Sequence, residues 1–128
     1  MTEKQGRDRR GGAELITCVV QRGHGDAIAK AAANAGAKGA TLFFARGMGA
    51  RDQLGLLGLA IVPEKEIVMV VCKEQETPAI FGAMVEAGHL HTPGMGIAYV
   101  TPIYESAGVL GVNFTGEPAA PGTGAHPS

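Results

Sequence analysis

The 128-residue chain carries a formal net charge of −1, with 18% charged and 45% hydrophobic residues, a composition that supports one packed domain and excludes wholesale disorder. With no basic surplus, no Trp and only 5% aromatics, it has neither the positive stripe nor the stacking platform that nucleic acid requires. The 20 Gly and 7 Pro exceed the usual combined share of about 12%, and that excess belongs in loops and tails.

Residues 1–12 (MTEKQGRDRRGG) are polar and basic, so they read as a flexible arm and not as a signal peptide. No apolar run approaches the roughly 18 residues that span a bilayer, and a cytoplasmic protein is expected. Residues 14–21 (ELITCVVQ) form a β-branched apolar run, which predicts a buried strand. Residues 26–35 (DAIAKAAANA) predict an Ala-rich helix, with Asp26 as N-cap and Gly36 as its stop. A second strand is expected over 37–45 (AKGATLFFA) and a third over 66–73 (EIVMVVCK). Thr77 then caps a helix with Pro78 in its first turn, running to about Gly88. Residues 97–103 (IAYVTPI) give a fourth strand, and 109–114 are compatible with a short terminal one. The tail, 115–128, has three Pro and three Gly and reads as disordered. The folded domain is therefore expected over 13–114.

The order strand, helix, strand, strand, helix, strand is a split βαβ unit repeated, the α+β ferredoxin-like βαββαβ sandwich. Two helices cover one face of a four-stranded sheet. The strands are apolar on both sides, as in Ile67-Val68-Met69-Val70-Val71, so the other face needs a partner and a homo-oligomer is expected.

Two Gly-Met-Gly triplets stand at strand ends: Arg46-Gly47-Met48-Gly49 after the second strand and Pro93-Gly94-Met95-Gly96 before the fourth. Neither leads into a helix, so the dinucleotide fingerprint fails on context. Glycines there can bring backbone N–H groups up to a phosphate as a nest; ordinary turn glycine is the plainer reading. Between strands two and three, residues 50–63 (ARDQLGLLGLAIVP) place Leu54, Leu56, Leu57 and Leu59 among glycines. That pattern reads either as a partner-binding loop or as a hairpin packed on the core. His89 and His91, two apart, would share one side of an extended segment, but no third metal ligand is evident nearby. Cys18 and Cys72 are far apart and read as buried thiols. Glu64, Glu66, Glu74, Glu76 and Glu86 read as solvated charges, and no nucleophile–base pair is placed, so no enzyme is expected.

Gly39-Ala40-Thr41, then Arg46-Gly47-Met48-Gly49, then Val62-Pro63 before residues 66–71, then Gly94-Met95-Gly96 with the following strand and Pro102 form a pattern by order and spacing. From residue 14 to about 110 the chain resembles the PII signal-transduction superfamily, as a divergent, nitrogen regulatory protein P-II-like member. The resemblance implies a ferredoxin-like homotrimer with adenine-nucleotide effector sites in the clefts between subunits. It also implies a flexible loop after strand two, here about 47–60, that touches a regulated target such as a membrane transporter or an enzyme. Thr41 matches the adenine side, Arg46, Gly47, Met48 and Gly49 the phosphate side, and Gly94, Met95 and Gly96 the B-loop. Arg51, near the place of the family's 2-oxoglutarate glutamine, joins the four leucines as the partner-binding segment. Three departures stand out: Ile97 replaces a basic residue, and Gly108 and Leu110 replace two arginines. Losing these phosphate holders favours AMP or ADP over ATP. No tyrosine lies between Gly47 and Pro63, so the family's tyrosine modification has no acceptor there. The alternative is a CutA-like trimeric divalent-metal protein using His89, His91 and Cys72.

Overall fold

A computed structural model of the protein describes residues 12–47 and 64–108. The elements are β1 (Ala13–Gln21), α1 (Gly25–Asn34), β2 (Thr41–Arg46), β3 (Glu64–Lys73), α2 (Thr77–Gly88) and β4 (Gly96–Ile103). The strands form one sheet in the order β2-β3-β1-β4, each pair antiparallel. This is the expected ferredoxin-type α+β plan.

Strand alternation sorts the apolar residues onto two faces. Ile16, Cys18 and Val20 of β1 lie in register with Val70, Val68 and Glu66 of β3. With Cys72 the apolar members of this set pack under Ile28 and Ala32 of α1 and Ile80 and Met84 of α2 to make the core. The odd-numbered residues take the opposite face: Leu15 and Val19 of β1, Ile67, Met69 and Val71 of β3. In the edge strands that face continues through Phe43 (45% exposed), Ile97 (57%) and Tyr99 (44%). No helix of the described residues covers it.

Helix α1 starts at Gly25, with His24 as N-cap and no side-chain cap bond. Asp26 therefore lies in the first turn and is not the cap. The amides of Gly23 and Gly25 instead donate to Glu66 Oε1, at 2.9 and 3.0 Å. Glu66 is 7% exposed and is no solvated charge: it caps a helix from across the sheet, where an anion suits the helix N-terminus. Gly36, at φ 116, stops α1 as expected. Its N–H bonds Ala33 O, and the next N–H, from Ala37, bonds Ala32 O at 2.9 Å, a Schellman closure. That closure uses residues 35–37, so β2 begins at Thr41 rather than at 37.

Helix α2 also starts one residue off the expected cap. Glu76 is the N-cap and Thr77 the first helical residue, with Pro78 behind it. The Thr77 hydroxyl donates to Lys73 O at 3.2 Å, and the Glu76 carboxylate accepts from Lys73 N at 3.1 Å. The helix ends through His89, a non-glycine at φ 53, with Leu90 N bonded to Val85 O and Leu90 packed on the core. The leucine-rich segment, the arm, the tail and the strand expected at 109–114 lie outside the described residues, apart from Gly12.

Candidate functional site

Register fixes where the glycine elements sit. Phe44, Glu66, Val20 and Gly96 form one row across all four strands. Arg46 and Gly47, at the end of β2, thus lie at the same end of the sheet as the Gly94–Gly96 turn that starts β4. They lie on opposite edges, three strand spacings or about 14 Å apart. Thr41 opens β2, five residues or about 17 Å from Arg46 along the strand, and pairs with Met69. One chain therefore does not bring Thr41, Gly47 and Gly94–Gly96 into a single pocket.

The two glycine groups differ in what demands them. Gly94 (φ 87) and Gly96 (φ 138) both need positive φ, and a Cβ on Gly96 would overlap the Val19 carbonyl oxygen. Turn geometry and close packing on β1 account for both. At Gly47 a Cβ would meet only the Lys65 side chain, Cγ at 3.5 Å and Cε at 3.8 Å, ordinary contacts, so packing does not require glycine there. Met95 is half-buried and its N–H bonds Thr92 O. Met48, Gly49, Arg51, Leu54, Leu56, Leu57 and Leu59 fall outside the described residues.

Charge gathers at the same end of the sheet. Arg22, just past β1, donates from Nη1 to Glu64 Oε1 at 2.6 Å and lies over the Phe44 ring at 5.2 Å. Sequence reasoning missed Arg22 as well as the buried role of Glu66. The local signal was the Arg-Gly-His-Gly run between a strand and a helix, read against Glu-Lys-Glu at the start of β3. Ile97, in the place of a basic residue, points its side chain onto the open apolar face, and Gly108 is exposed at φ 123.

The metal alternative loses its donors' proximity. His89 and His91 are exposed within a turn, not along an extended segment. Cys72 lies beside Thr77, its Sγ 3.3 Å from Thr77 Oγ1, at the other end of α2; a helix of 12 residues spans about 18 Å. No group of three or more His, Cys, Asp and Glu is gathered among the described residues. Both cysteines are free and buried. Burial pushes the Cys18 thiol up to about 11. Burial also raises Cys72, with the Glu76 and Glu14 charges adding to it and the Thr77 hydrogen bond opposing. Such thiols are poor nucleophiles.

A two-helix, four-strand antiparallel sandwich with an open apolar sheet face defines the class of ferredoxin-type α+β subunits. The family model described as nitrogen regulatory protein P-II matches residues 13–109, and the chain belongs to that family. Among solved structures, the crystal structure of Arabidopsis thaliana PII bound to citrate is similar, with 18% sequence identity and a TM-score of 0.58 over 73% of this chain and 78% of that one. No curated protein matches the chain in sequence. The chain is thus a PII-like member of a regulatory family. No helix of the described residues is long and apolar enough to cross a membrane.

Proposed function

We propose that the protein is a ligand-gated regulator that works as a cytoplasmic homotrimer, its sheets facing inward. It binds AMP or ADP at least as tightly as ATP in clefts between subunits. The observation that carries this reading is the split of the glycine elements: Gly47 and Gly94–Gly96 share one end of the sheet but occupy opposite edges. Rotational assembly brings the β2 edge of one copy to the β4 edge of the next and completes a site that neither copy holds alone. The open face bearing Phe43, Ile97 and Tyr99 supplies the apolar surface for that assembly. In this reading the base sits near Thr41 and the phosphates near Arg46, Gly47, Met48 and Gly49, with Gly94, Met95 and Gly96 contributed by the neighbour.

Light scattering and calorimetry with AMP, ADP and ATP test it. The expected result is a trimer mass, with AMP or ADP at least matching ATP; a bulky residue at Gly49 abolishes binding. A stable monomer at micromolar concentration overturns the assembly, and clear preference for ATP overturns the ligand assignment. Citrate, named with the Arabidopsis structure, belongs in the same panel.

The partner-binding segment is Arg51 with Leu54, Leu56, Leu57 and Leu59. Residues 54–62 contain no basic residue, which suits an apolar groove on a membrane transporter rather than an acidic soluble partner. Leu56→Asp with Leu57→Asp is expected to spare the trimer and ligand binding but to abolish capture of the transporter from a membrane extract. Failure of that variant to fold would assign the leucines to the core instead.

A further inference from the structure

The β1–α1 corner holds a charge cluster of which the nucleotide reading uses only Arg46. Arg22 is held on two sides, by the Phe44 ring at 5.2 Å and by Glu64 at 2.6 Å. Arg46 stands directly opposite Glu64 in the β2–β3 register, so both side chains leave the same face of the sheet. The Glu64 carboxylate is paired with Arg22 while Arg46 is its cross-strand neighbour, and Arg46 makes no ion pair of its own among the described residues. The other carboxylate on this face, Glu66, is buried and committed to the Gly23 and Gly25 amides. Its charge is offset by the helix N-terminus rather than by arginine.

Arg22, Arg46, Glu64 and Phe44 are all exposed, so a ligand can reach them. Stacking on Phe44 pre-orients the guanidinium fork, which fits phosphate as well as it fits carboxylate. An exposed Arg–Glu bridge contributes little to stability, so a phosphoryl group with more charge and more acceptor oxygens can displace Glu64 at small cost.

We propose that Arg22 and Arg46 form a phosphoryl-binding subsite at the β2 end of the sheet, with Glu64 as its resident competitor. The subsite takes the terminal phosphate of the effector and supplies the cationic contact that Ile97 and Gly108 do not. Its ligand identity rests on the nucleotide reading above, although free pyrophosphate presents the same chemistry.

Calorimetry on the full chain, titrated separately with ADP, inorganic pyrophosphate and adenosine, tests it. Arg22→Gln is expected to weaken ADP and pyrophosphate about tenfold, the low end for one charge-assisted hydrogen bond. Arg46→Gln moves them the same way. Glu64→Gln, which removes the competitor, is expected to tighten both by about threefold or more. Adenosine is unmoved by any of the three. A merely structural bridge would shift Arg22→Gln and Glu64→Gln in one direction, and that result, or no shift in either, overturns the subsite while leaving nucleotide binding intact. Opposite shifts for pyrophosphate with no ADP binding support the subsite and overturn the nucleotide reading. Binding of neither ADP nor pyrophosphate to the wild type overturns both.

Discussion

Replacing Gly25 with alanine is expected to destabilise the protein, although glycine to alanine at a helical position ordinarily gains about 0.5–1 kcal/mol. The added Cβ would overlap the Glu66 carboxyl carbon and lie 2.5 Å from Oε2 and 2.9 Å from Cγ. Glu66 cannot simply turn aside. Its Oε1 accepts from the Gly23 and Gly25 amides at 2.9 and 3.0 Å, and its surroundings are buried. Displacing it forfeits two hydrogen bonds to a carboxylate, each worth about 1.5–3 kcal/mol. After allowing for the alanine gain, the net loss is about 2–5 kcal/mol, a drop in Tm of roughly 10–25 °C for a domain of this size. The assay is urea unfolding followed by circular dichroism at one fixed protein concentration, because association would otherwise add its own mass-action term. The control is the same substitution in a Glu66→Ala background, where the collision is gone and Gly25→Ala becomes neutral or stabilising. A loss of equal size in both backgrounds, or a gain in the wild type, would refute the capping argument.

Three further outcomes are expected. Ile97→Asp with Tyr99→Asp puts two charges on the open apolar face and should lower the light-scattering mass to that of a monomer, with the circular dichroism of the sheet retained. Gly96→Ala combines a φ of 138 with a collision on the Val19 carbonyl, so it should cost about 1–3 kcal/mol in urea unfolding. The Cys18 thiol has an ordinary value of 9.0 and is raised to about 11 in the fold. The unfolded thiol ionises first, so the stability this group contributes is complete below pH 9 and is lost as the pH climbs toward 11. Unfolding titrations across that window should fall less steeply for Cys18→Ala than for the wild type.

The strands, both helices and the exposed face were legible because each depends on local pattern. The β-branched apolar runs in 14–21 and 66–73 mark strands, Pro78 marks a helix start, and Gly36 marks a stop. What escaped depends on partners distant in the chain. Glu66 looks solvated within Glu-Lys-Glu, and its burial follows from a helix N-terminus more than forty residues earlier. The early start assigned to β2 failed because Ala37 finishes the helix instead of opening the strand. His89 shows the reverse limit: local sequence offers no glycine for its left-handed turn, yet packing of Leu90 imposes it. Of the candidate site, spacing placed Gly47 and Gly94–Gly96 at strand ends, where they lie, and left ordinary turn glycine as the plainer reading. The Arg22–Phe44–Glu64 arrangement was not, because it joins three elements that only the sheet order brings together.

Placing Gly47 and Gly96 on opposite edges also has a genetic consequence. In the proposed trimer, a lesion at either position spoils one half of a site whose other half comes from the neighbouring chain. A chain damaged near Gly47 and a chain damaged in the Gly94–Gly96 turn would each be inactive alone, yet co-expressed they would assemble mixed rings. Some interfaces in those rings join the sound edge of one chain to the sound edge of the other. Random assembly of equal amounts restores about one quarter of the sites, so the two defects would complement each other inside a cell. Two lesions on the same edge would not.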